Sequence, residues 1–385
     1  MLITLDGLGV GALPDAAAYG DGAVDTLGHL LKAQPALRLP HLRGMGLGNL
    51  HPAAGLAPAN PPLACFGRMA ERSAGKDTTT GHWELAGLIQ SDPLPTFPRG
   101  FPPEVIQAFT EKTGIEPLGN IAASGTEILE RLGEEHLRTG RPILYTSVDS
   151  VFQLAAHEDI IPVERLYQLC RTARRILDPY RVGRVIARPF VGDGPGSFRR
   201  TARRHDFSLP PFSPTLLDLL LQRGLAVIGV GKIGDIFAGR GLSRSLPSRD
   251  NADGMKLILE NFVGMKRGLL FANLVDFDML HGHRRDTAGF ARALEEFDGW
   301  LPLMQGAMGE GDLLVLTADH GCDPTAPGTD HTREYVPLLV WSPTFRGGTD
   351  LGCRKSFADV AATLGEAFEV PIAAGRSFLA QLPGA

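Results

Sequence analysis

Carboxylate, imidazole and hydroxyl side chains concentrate in five short segments of this 385-residue chain: residues 5–9, 74–84, 273–283, 316–321 and 328–334. Three of these segments begin in an apolar run typical of a buried strand, so their Asp and His residues follow the strand ends. The other two fall in loops that could reach the same edge. Because open parallel sheets bind ligands outside the carboxyl ends of their strands, we expect one site at that edge.

The residue types in these segments indicate phosphoryl-transfer chemistry assisted by metal ions. Carboxylate and imidazole ligands together suit Zn²⁺ or Mn²⁺, and two such sets suggest a pair of divalent ions that stabilises an in-line displacement. Thr78, beside Lys76 and Asp77, is the natural nucleophile, because a metal or a base can activate its weak hydroxyl. Taken singly, a residue such as Asp6 could equally cap a helix.

Apolar runs and helical patterns alternate along much of the chain. The runs that predict strands are residues 1–5, 143–148, 182–187, 225–230, 269–275, 313–317 and 336–341. Helical spacing of apolar residues predicts helices over 286–308 and 356–368, and Ser213 with Pro214 predicts the start of a further helix. This alternation predicts an α/β fold, a mostly parallel sheet flanked by helices.

Two proline-rich stretches, 92–98 and 209–212, interrupt this alternation. The residues between them have the length of one domain. We therefore predict an α+β cap domain, residues 92–211, inserted into a discontinuous metal-binding core of residues 1–91 and 212–385. The alternative is a single large domain with long loops.

Composition narrows the class of protein. The net charge of -5 argues against a protein whose main task is binding nucleic acid or an anionic membrane. Four scattered cysteines without a CxxC pair predict neither a disulfide framework nor a zinc finger, and they favour the cytoplasm. We expect no signal peptide, no membrane helix and a monomer.

Longer stretches of sequence resemble a known family. Residues 75–78, 80–84, 273–278 and 328–334 look like the alkaline phosphatase superfamily of binuclear metalloenzymes. Residues 124–129 and 182–192, inside the predicted insert, are similar to the bacterial phosphopentomutases within it. The resemblance implies an alkaline-phosphatase-like core, two divalent ions that are usually Mn²⁺, and interconversion of pentose 1- and 5-phosphates. It also implies a sugar bisphosphate activator, such as glucose 1,6-bisphosphate, that phosphorylates the nucleophile.

Carried over by position, the resemblance implies that Thr78 accepts phosphate beside two metal sites. One site would use Asp278, His283 and His331, and the other would use Asp6, Asp319 and His320. The residue pattern alone does not choose Asp278 over Asp276, or His283 over His281. Asp276 and His281 are interpreted as groups that support the ligands or pack beside them. Cys322, which follows Asp319, His320 and Gly321, could act as an extra ligand, but it is interpreted as a bystander because the ligand set is already complete.

Residues 165–204 contain eleven Arg and only two acidic residues, which predicts an anion-binding cap. A solvated helix face is the interpretation for Arg171, Arg174 and Arg175. The candidates for binding substrate stand in strand or loop contexts, together with a lysine after a core strand: Asp149, Arg184, Arg188, Arg200, Arg204 and Lys232.

Other functions are compatible with the same metal ligands. A cofactor-independent phosphoglycerate mutase or a metal-dependent phosphatase would share the ligands, and phosphoglycerate would also require an arginine-rich cap. A non-catalytic sensor of sugar phosphates would have no need of a hydroxyl beside two metal sites.

Overall fold

The chain divides into two compact units in the computed structural model, which describes residues 1–50, 56–147 and 150–384. One unit contains Met1–Pro93 and Pro211–Ala385, and the other contains Leu94–Pro210. Both junctions fall within the proline-rich stretches. Among the described residues, no helix combines the length and the apolar character needed to cross a membrane.

The strands, in chain order, are β1 (Leu2–Leu5), β2 (Cys65–Met69), β3 (Leu118–Ala122), β4 (Ile143–Thr146), β5 (Val151–His157), β6 (Arg184–Val191), β7 (Arg199–Arg200), β8 (His205–Ser208), β9 (Ala226–Val230), β10 (Arg244–Leu246), β11 (Gly268–Leu274), β12 (Leu314–Thr317), β13 (Val336–Trp341) and β14 (Asp350–Arg354).

The helices are α1 (Thr26–Ala33), α2 (Pro40–Gly44), α3 (Leu47–Leu50), α4 (Thr78–Leu85), α5 (Pro103–Thr113), α6 (Gly125–Thr139), α7 (Val163–Leu177), α8 (Leu216–Gln222), α9 (Ile233–Ile236), α10 (Asn251–Phe262), α11 (Thr287–Gly306) and α12 (Ala358–Ala367). A π-helical turn spans Phe277–Gly282.

The sheet of the first unit has the order β10-β9-β11-β1-β12-β13-β2-β14. Its strands are parallel except at β13, which is antiparallel to β12 and β2. Helices α8 and α10 pack on β9 and β11. The predicted α/β fold with a mostly parallel sheet is confirmed.

The central strand β1 brings the chemistry together. It lies between β11 and β12 and is parallel to both. The carboxyl ends of the three strands therefore meet at one edge, where Asp6 follows β1, the π-helical turn follows β11, and Asp319 and His320 follow β12.

The second unit has its own sheet, of order β3-β4-β5-β6-β7, with β8 also paired to β6. Alternate residues of β5 enter different apolar clusters: Phe152 and Leu154 pack with residues of α5 and α7, whereas Ala155 packs with residues of α6. Such alternation places helices on both faces of this sheet.

Two details of the local structure differ from the sequence predictions. Helix α8 is capped by Thr215 in a capping box with Asp218 rather than by Ser213, because the Asp218 side chain accepts from the backbone N–H of Thr215. Several strands were not predicted, among them β5, whose buried run is broken by the polar residues Gln153 and His157.

Candidate active site

Two overlapping groups of carboxylates and imidazoles lie at the carboxyl edge of the first sheet. In the first group, ligand atoms of Asp6, Asp319 and His320 lie within 4.8 Å of one another. His320 Nε2 is 3.3 Å from Asp6 Oδ1 and 3.3 Å from Asp319 Oδ2. All three side chains are buried.

The second group joins Asp278 and His331 to the same His320, again within 4.8 Å. Asp278 uses both carboxylate oxygens, with Oδ1 3.3 Å from His331 Nε2 and Oδ2 3.2 Å from His283 Nε2. The Nε2 atoms of His283 and His331 are 3.1 Å apart. The structure thus brings the six metal-ligand candidates into one cluster.

Three buried carboxylate oxygens lie close to imidazole nitrogens without accepting a hydrogen bond among the described residues, an arrangement that fits divalent ions. Asp6 Oδ1, Asp278 Oδ1 and Asp319 Oδ2 are buried and have no hydrogen-bond partner among the described residues. Buried charges in proteins are normally paired or coordinate metals, because an isolated buried carboxylate is costly. Oxygen and imidazole nitrogen donors in two overlapping sets suit a pair of Zn²⁺ or Mn²⁺ ions.

The pKa shifts have the same origin. Burial raises the pKa of Asp6, and the charges of Asp319 and Asp278 raise it further. Burial alone would lower the pKa of His320, but Asp319 and Asp6 outweigh it and raise that pKa well above its ordinary value. The clustered carboxylates therefore favour positive charge at this place.

The Thr78 hydroxyl lies against this cluster because Thr78 is the first residue of α4. Its Oγ1 is 3.1 Å from His320 Nε2. Asp77 caps the helix by accepting from the backbone N–H groups of Thr79 and Thr80, at 3.0 and 3.2 Å. The Thr80 hydroxyl donates to Asp77 Oδ2 at 3.0 Å and belongs to the cap.

Sequence analysis missed two buried residues that support the ligands. His82 stands one turn after Thr78 on α4, and its Nδ1 is 3.1 Å from Asp319 Oδ2 and 2.8 Å from the Thr78 carbonyl oxygen. Asn273, at the end of β11, donates from Nδ2 to Asp6 Oδ2 at 3.0 Å. The four-residue spacing from Thr78 to His82 was the signal available in the sequence.

Asp276 and His281, the alternatives to two of the ligands, contribute no atom to these groups. Asp276 Oδ2 accepts from the backbone N–H of Asn251 at 2.7 Å, which fixes the start of α10. His281 Nδ1 is 3.2 Å from Asp286 Oδ2.

Arg333 fastens the segment that precedes Thr78. Its guanidinium donates to Glu71 Oε2 at 2.8 Å and to the carbonyl oxygens of Ser73 and Gly75. Asp15 accepts from the same group at 3.0 Å. Because Arg333 is two residues after His331, one side chain links the loop of a metal-ligand candidate to the loop of the candidate nucleophile.

A polar pocket of about 310 Å³ lies in the second unit. Four of the predicted substrate-binding residues line it: Arg184, Arg188, Arg200 and Arg204. Among the described residues, Asp206 is the carboxylate that pairs with these arginines: its two oxygens each accept from Arg204 at 2.7 Å, and Oδ2 lies 3.7 Å from Arg184 Nη1. Burial lowers the pKa of Arg188, and the charges of Arg204 and Arg200 lower it too, which marks the pocket as strongly cationic.

The remaining substrate-binding candidates are placed differently. Asp149 lies outside the described residues. Lys232 follows β9, and its half-buried ammonium group has no hydrogen bond or ion pair among the residues that the structure describes. Arg174 corrects the prediction of a solvated helix face, because its guanidinium is buried and donates to Asp178 and to the carbonyl oxygen of Val182.

Comparisons with known proteins show the superfamily and the family. A family model described as the metalloenzyme superfamily matches residues 1–372. The protein from Leishmania mexicana whose crystal structure is titled phosphoglycerate mutase is 13% identical with a TM-score of 0.50, over 98% of this chain and 96% of that one, a likeness of fold alone.

Two curated relatives are much more similar in sequence, and both are named phosphopentomutase. The protein of Syntrophotalea carbinolica is 59% identical over 99% of this chain and 97% of its own length. The protein of Caldanaerobacter subterraneus subsp. tengcongensis is 56% identical over 100% of this chain and 98% of its own length. Such identity over the whole length, together with the cluster described above, shows that the chain belongs to the phosphopentomutase family of the metalloenzyme superfamily.

Proposed function

We propose that this chain is a phosphopentomutase, an isomerase that interconverts ribose or deoxyribose 1-phosphate and the corresponding 5-phosphate. One observation carries the proposal: the Thr78 hydroxyl lies 3.1 Å from His320 Nε2, at the edge of two overlapping donor groups that fit divalent ions. The names of the relatives favour a pentose phosphate over phosphoglycerate.

In the proposed cycle, phosphorylated Thr78 transfers its phosphoryl group to the free hydroxyl of a pentose phosphate. The bond between Thr78 Oγ1 and phosphorus breaks as the sugar oxygen bonds to phosphorus. The hydroxyl proton passes to Oγ1, and the product is a pentose 1,5-bisphosphate. The other phosphate then returns to Thr78 in the same way, which releases the isomer.

The chain's own residues suit the Thr78 oxygen to these roles. Asp77 and the first turn of α4 hold Thr78 in place, and backbone N–H groups at a helix start favour negative charge. His320 Nε2, a donor atom for one of the proposed ions, stands 3.1 Å from Oγ1, so a cation held there would stabilise an alkoxide at Thr78. His82 fixes the start of this helix against Asp319.

Two divalent ions, which we propose to be Mn²⁺, would supply the charge that stabilises the transferred phosphoryl group. The residues that would hold them are Asp6, Asp319 and His320 for one ion, and Asp278, His283 and His331 for the other.

The arginine pocket of the second unit is our candidate for the phosphate that is not being transferred. A mutase whose intermediate carries two phosphates needs a second anion site, and arginine bonds two phosphate oxygens at once. Lys232 and Asp149 are proposed as further substrate contacts. We place the enzyme in nucleoside catabolism in the cytoplasm, acting as a monomer, with a sugar bisphosphate such as glucose 1,6-bisphosphate phosphorylating Thr78.

The test is to assay isomerisation of ribose 1-phosphate, ribose 5-phosphate and 3-phosphoglycerate, and to measure released inorganic phosphate in the same samples. We expect the pentose phosphates to interconvert with little release. Thr78→Ala should abolish the reaction and the labelling of the protein by bisphosphate, whereas Thr79→Ala, the neighbouring hydroxyl, should retain both. Phosphate as the main product would make the enzyme a hydrolase, and turnover by Thr78→Ala would exclude this nucleophile.

A further inference from the structure

A cysteine stands among the candidate metal ligands. The Sγ of Cys322 and ligand atoms of Asp278 and His283 lie within 4.8 Å of one another. Cys65, Cys170 and Cys353 belong to no such group among the described residues. Cys322 is thus the only cysteine there with a carboxylate and an imidazole in reach.

The surrounding backbone is built closely around this thiol. The Cys322 N–H donates to the carbonyl oxygen of Gly7 at 2.8 Å, which fixes the residue under the loop that follows β1. A Cβ at Gly282 would lie 2.5 Å from Sγ, and one at Gly7 would lie 2.8 Å from the Cβ of Cys322. The absence of side chains at these two glycines leaves the space that the thiol occupies.

An independent observation points to a ligand at the same place. Asp278 Oδ1 is buried, with 3% of the residue exposed, and it accepts no hydrogen bond among the described residues, although His331 Nε2 lies 3.3 Å away. Asp278 belongs to two donor groups, one with His320 and His331 and one with His283 and Cys322. The first offers only oxygen and nitrogen, and the second adds sulfur.

We propose that Asp278, His283 and Cys322 form a second, sulfur-containing binding mode at this half of the centre, selective for a thiophilic divalent ion such as Zn²⁺. This rests on the proposal that the cluster binds divalent ions. As the ion binds, the S–H bond of Cys322 breaks, a sulfur–metal bond forms, and the proton passes to the solvent. Thiolate ligands favour Zn²⁺, whereas oxygen ligands favour Mn²⁺.

The two modes share Asp278, so they compete. An ion held by Cys322 and His283 engages the carboxylate that the other mode needs, together with the imidazole that the resemblance assigns to that ion. Zn²⁺ is therefore expected to displace Mn²⁺ from this half of the centre and to slow the proposed reaction, with Cys322 as the cause.

Cobalt provides a readout that does not depend on activity. The intact protein, stripped with a chelator and reloaded with Co²⁺, should show a thiolate-to-cobalt charge-transfer band in the near ultraviolet. Cys322→Ser and Cys322→Ala should both lose the band, whereas Cys353→Ser, which changes an exposed cysteine, should keep it. In competition with a chromophoric chelator, Cys322→Ser should weaken Zn²⁺ binding by roughly 10- to 100-fold or more, the range found even for residues that only support ligands, and leave Mn²⁺ affinity unchanged.

The outcomes separate this inference from the proposed function. Wild-type protein that binds Co²⁺ without the sulfur band, or Cys322 variants with wild-type affinity for Zn²⁺, would overturn the sulfur mode and leave the mutase proposal standing. Wild-type protein that binds no divalent ion would overturn both. Melting curves of the two Cys322 variants show whether they are folded, and if Cys322→Ser is unfolded, the Cys322→Ala spectrum decides.

Discussion

The metal-ligand cluster of the first unit and the arginine pocket of the second carry uncompensated charge of opposite sign. The cluster holds three buried carboxylates, each with one oxygen that accepts no hydrogen bond from the part of the chain that the structure describes. The pocket is lined by four arginines, with Asp206 as their close carboxylate partner. Each site is thus short of the charge that its proposed ligand would bring: cations for the cluster and a phosphate for the pocket.

Their exposure differs too. The carboxylates stand at the ends of buried strands, whereas Arg200 and Arg204 lie on short strands and loops that solvent reaches. Interactions in the buried cluster are weakly screened, so single changes there should have larger effects than changes in the pocket. The predictions below test that ranking, from the largest effect to the smallest.

The largest effect is expected from His320→Ala. His320 belongs to both donor groups and faces Thr78 Oγ1, so its loss should weaken the binding of both ions. We expect activity to fall by about 1,000-fold or more, the equivalent of the several kcal/mol that metal ions contribute to charge stabilisation. Metal content should fall in the purified protein. His281→Ala, in the π-helical turn but outside the groups, is the control and should keep both metal content and most activity.

Removing and restoring the ions tests the same cluster without mutation. Excess chelator should inactivate the wild-type enzyme, and added Mn²⁺ should restore it. Full activity in metal-free buffer with excess chelator would refute the two-ion centre.

Arg333→Met tests whether an arginine whose hydrogen bonds are made within the protein contributes more to stability than the arginines of the pocket. Arg333 is buried and bonded on every side, so its loss should lower the free energy of unfolding by about 3 kcal/mol and leave the Glu71 carboxylate uncompensated. Arg249→Met, which breaks the surface pair with Asp253, should change the free energy of unfolding little, because solvent screens an exposed pair. Urea unfolding measures both, and equal losses would contradict a role for burial.

Arg200→Ala should show the reverse pattern, because Arg200 is exposed and lines the pocket. We expect pentose phosphate affinity to fall about 10- to 100-fold, the value of one or two hydrogen bonds to a charged group, with stability almost unchanged. Arg200→Lys should recover part of the loss, since an ammonium lacks the two-oxygen fork. Arg199→Ala, its neighbour on β7 outside the pocket, is the matched control, and an equal loss there would make these arginines mere surface charges.

The smallest effect concerns Asp206→Asn. Burial would raise the pKa of Asp206, but the hydrogen bond and charge of Arg204 outweigh it and leave the pKa lowered. The stabilisation is therefore present above the unfolded pKa of about 3.9 and is lost as pH falls through the lower folded value. At neutral pH the substitution should cost about 0.5–1 kcal/mol because Arg204 is half exposed, and it should tighten phosphate binding. A pH series of unfolding curves should show the difference shrinking in acid.

The sequence could predict those site residues that directly follow a recognisable strand. Asp6, Asp319 and His320 follow strands that apolar runs make visible, so their meeting at one edge was predictable from the parallel pattern. The choice of Asp278 over Asp276 was not predictable from the residue pattern, because a π-helical turn after β11 determines which carboxylate faces the cluster. It could be named only by resemblance.

Supporting residues were harder to predict because they act across the fold. Asn273 reaches Asp6 only because β11 pairs with β1, and sequence spacing carries no trace of that pairing. The sequence pattern places Arg174 on a charged helix face, yet its guanidinium is buried and donates to the carbonyl oxygen of Val182 in a later loop. Such contacts depend on topology rather than on local pattern.

The position of β1 in the sheet also affects how the protein is made. The backbone partners Met1 and Leu313 are 312 positions apart, so β1 cannot complete its pairing until β12, residues Leu314–Thr317, has been synthesised. The sheet of residues 94–210 needs no such wait, since all its strands are contiguous in sequence. Because domains fold as units during synthesis, the arginine-bearing unit can mature first, while an apolar strand remains exposed to aggregation or chaperones until β11 and β12 have been synthesised. The six candidate metal ligands can therefore assemble only after His331 has been synthesised, well after the unit of residues 94–210 is complete.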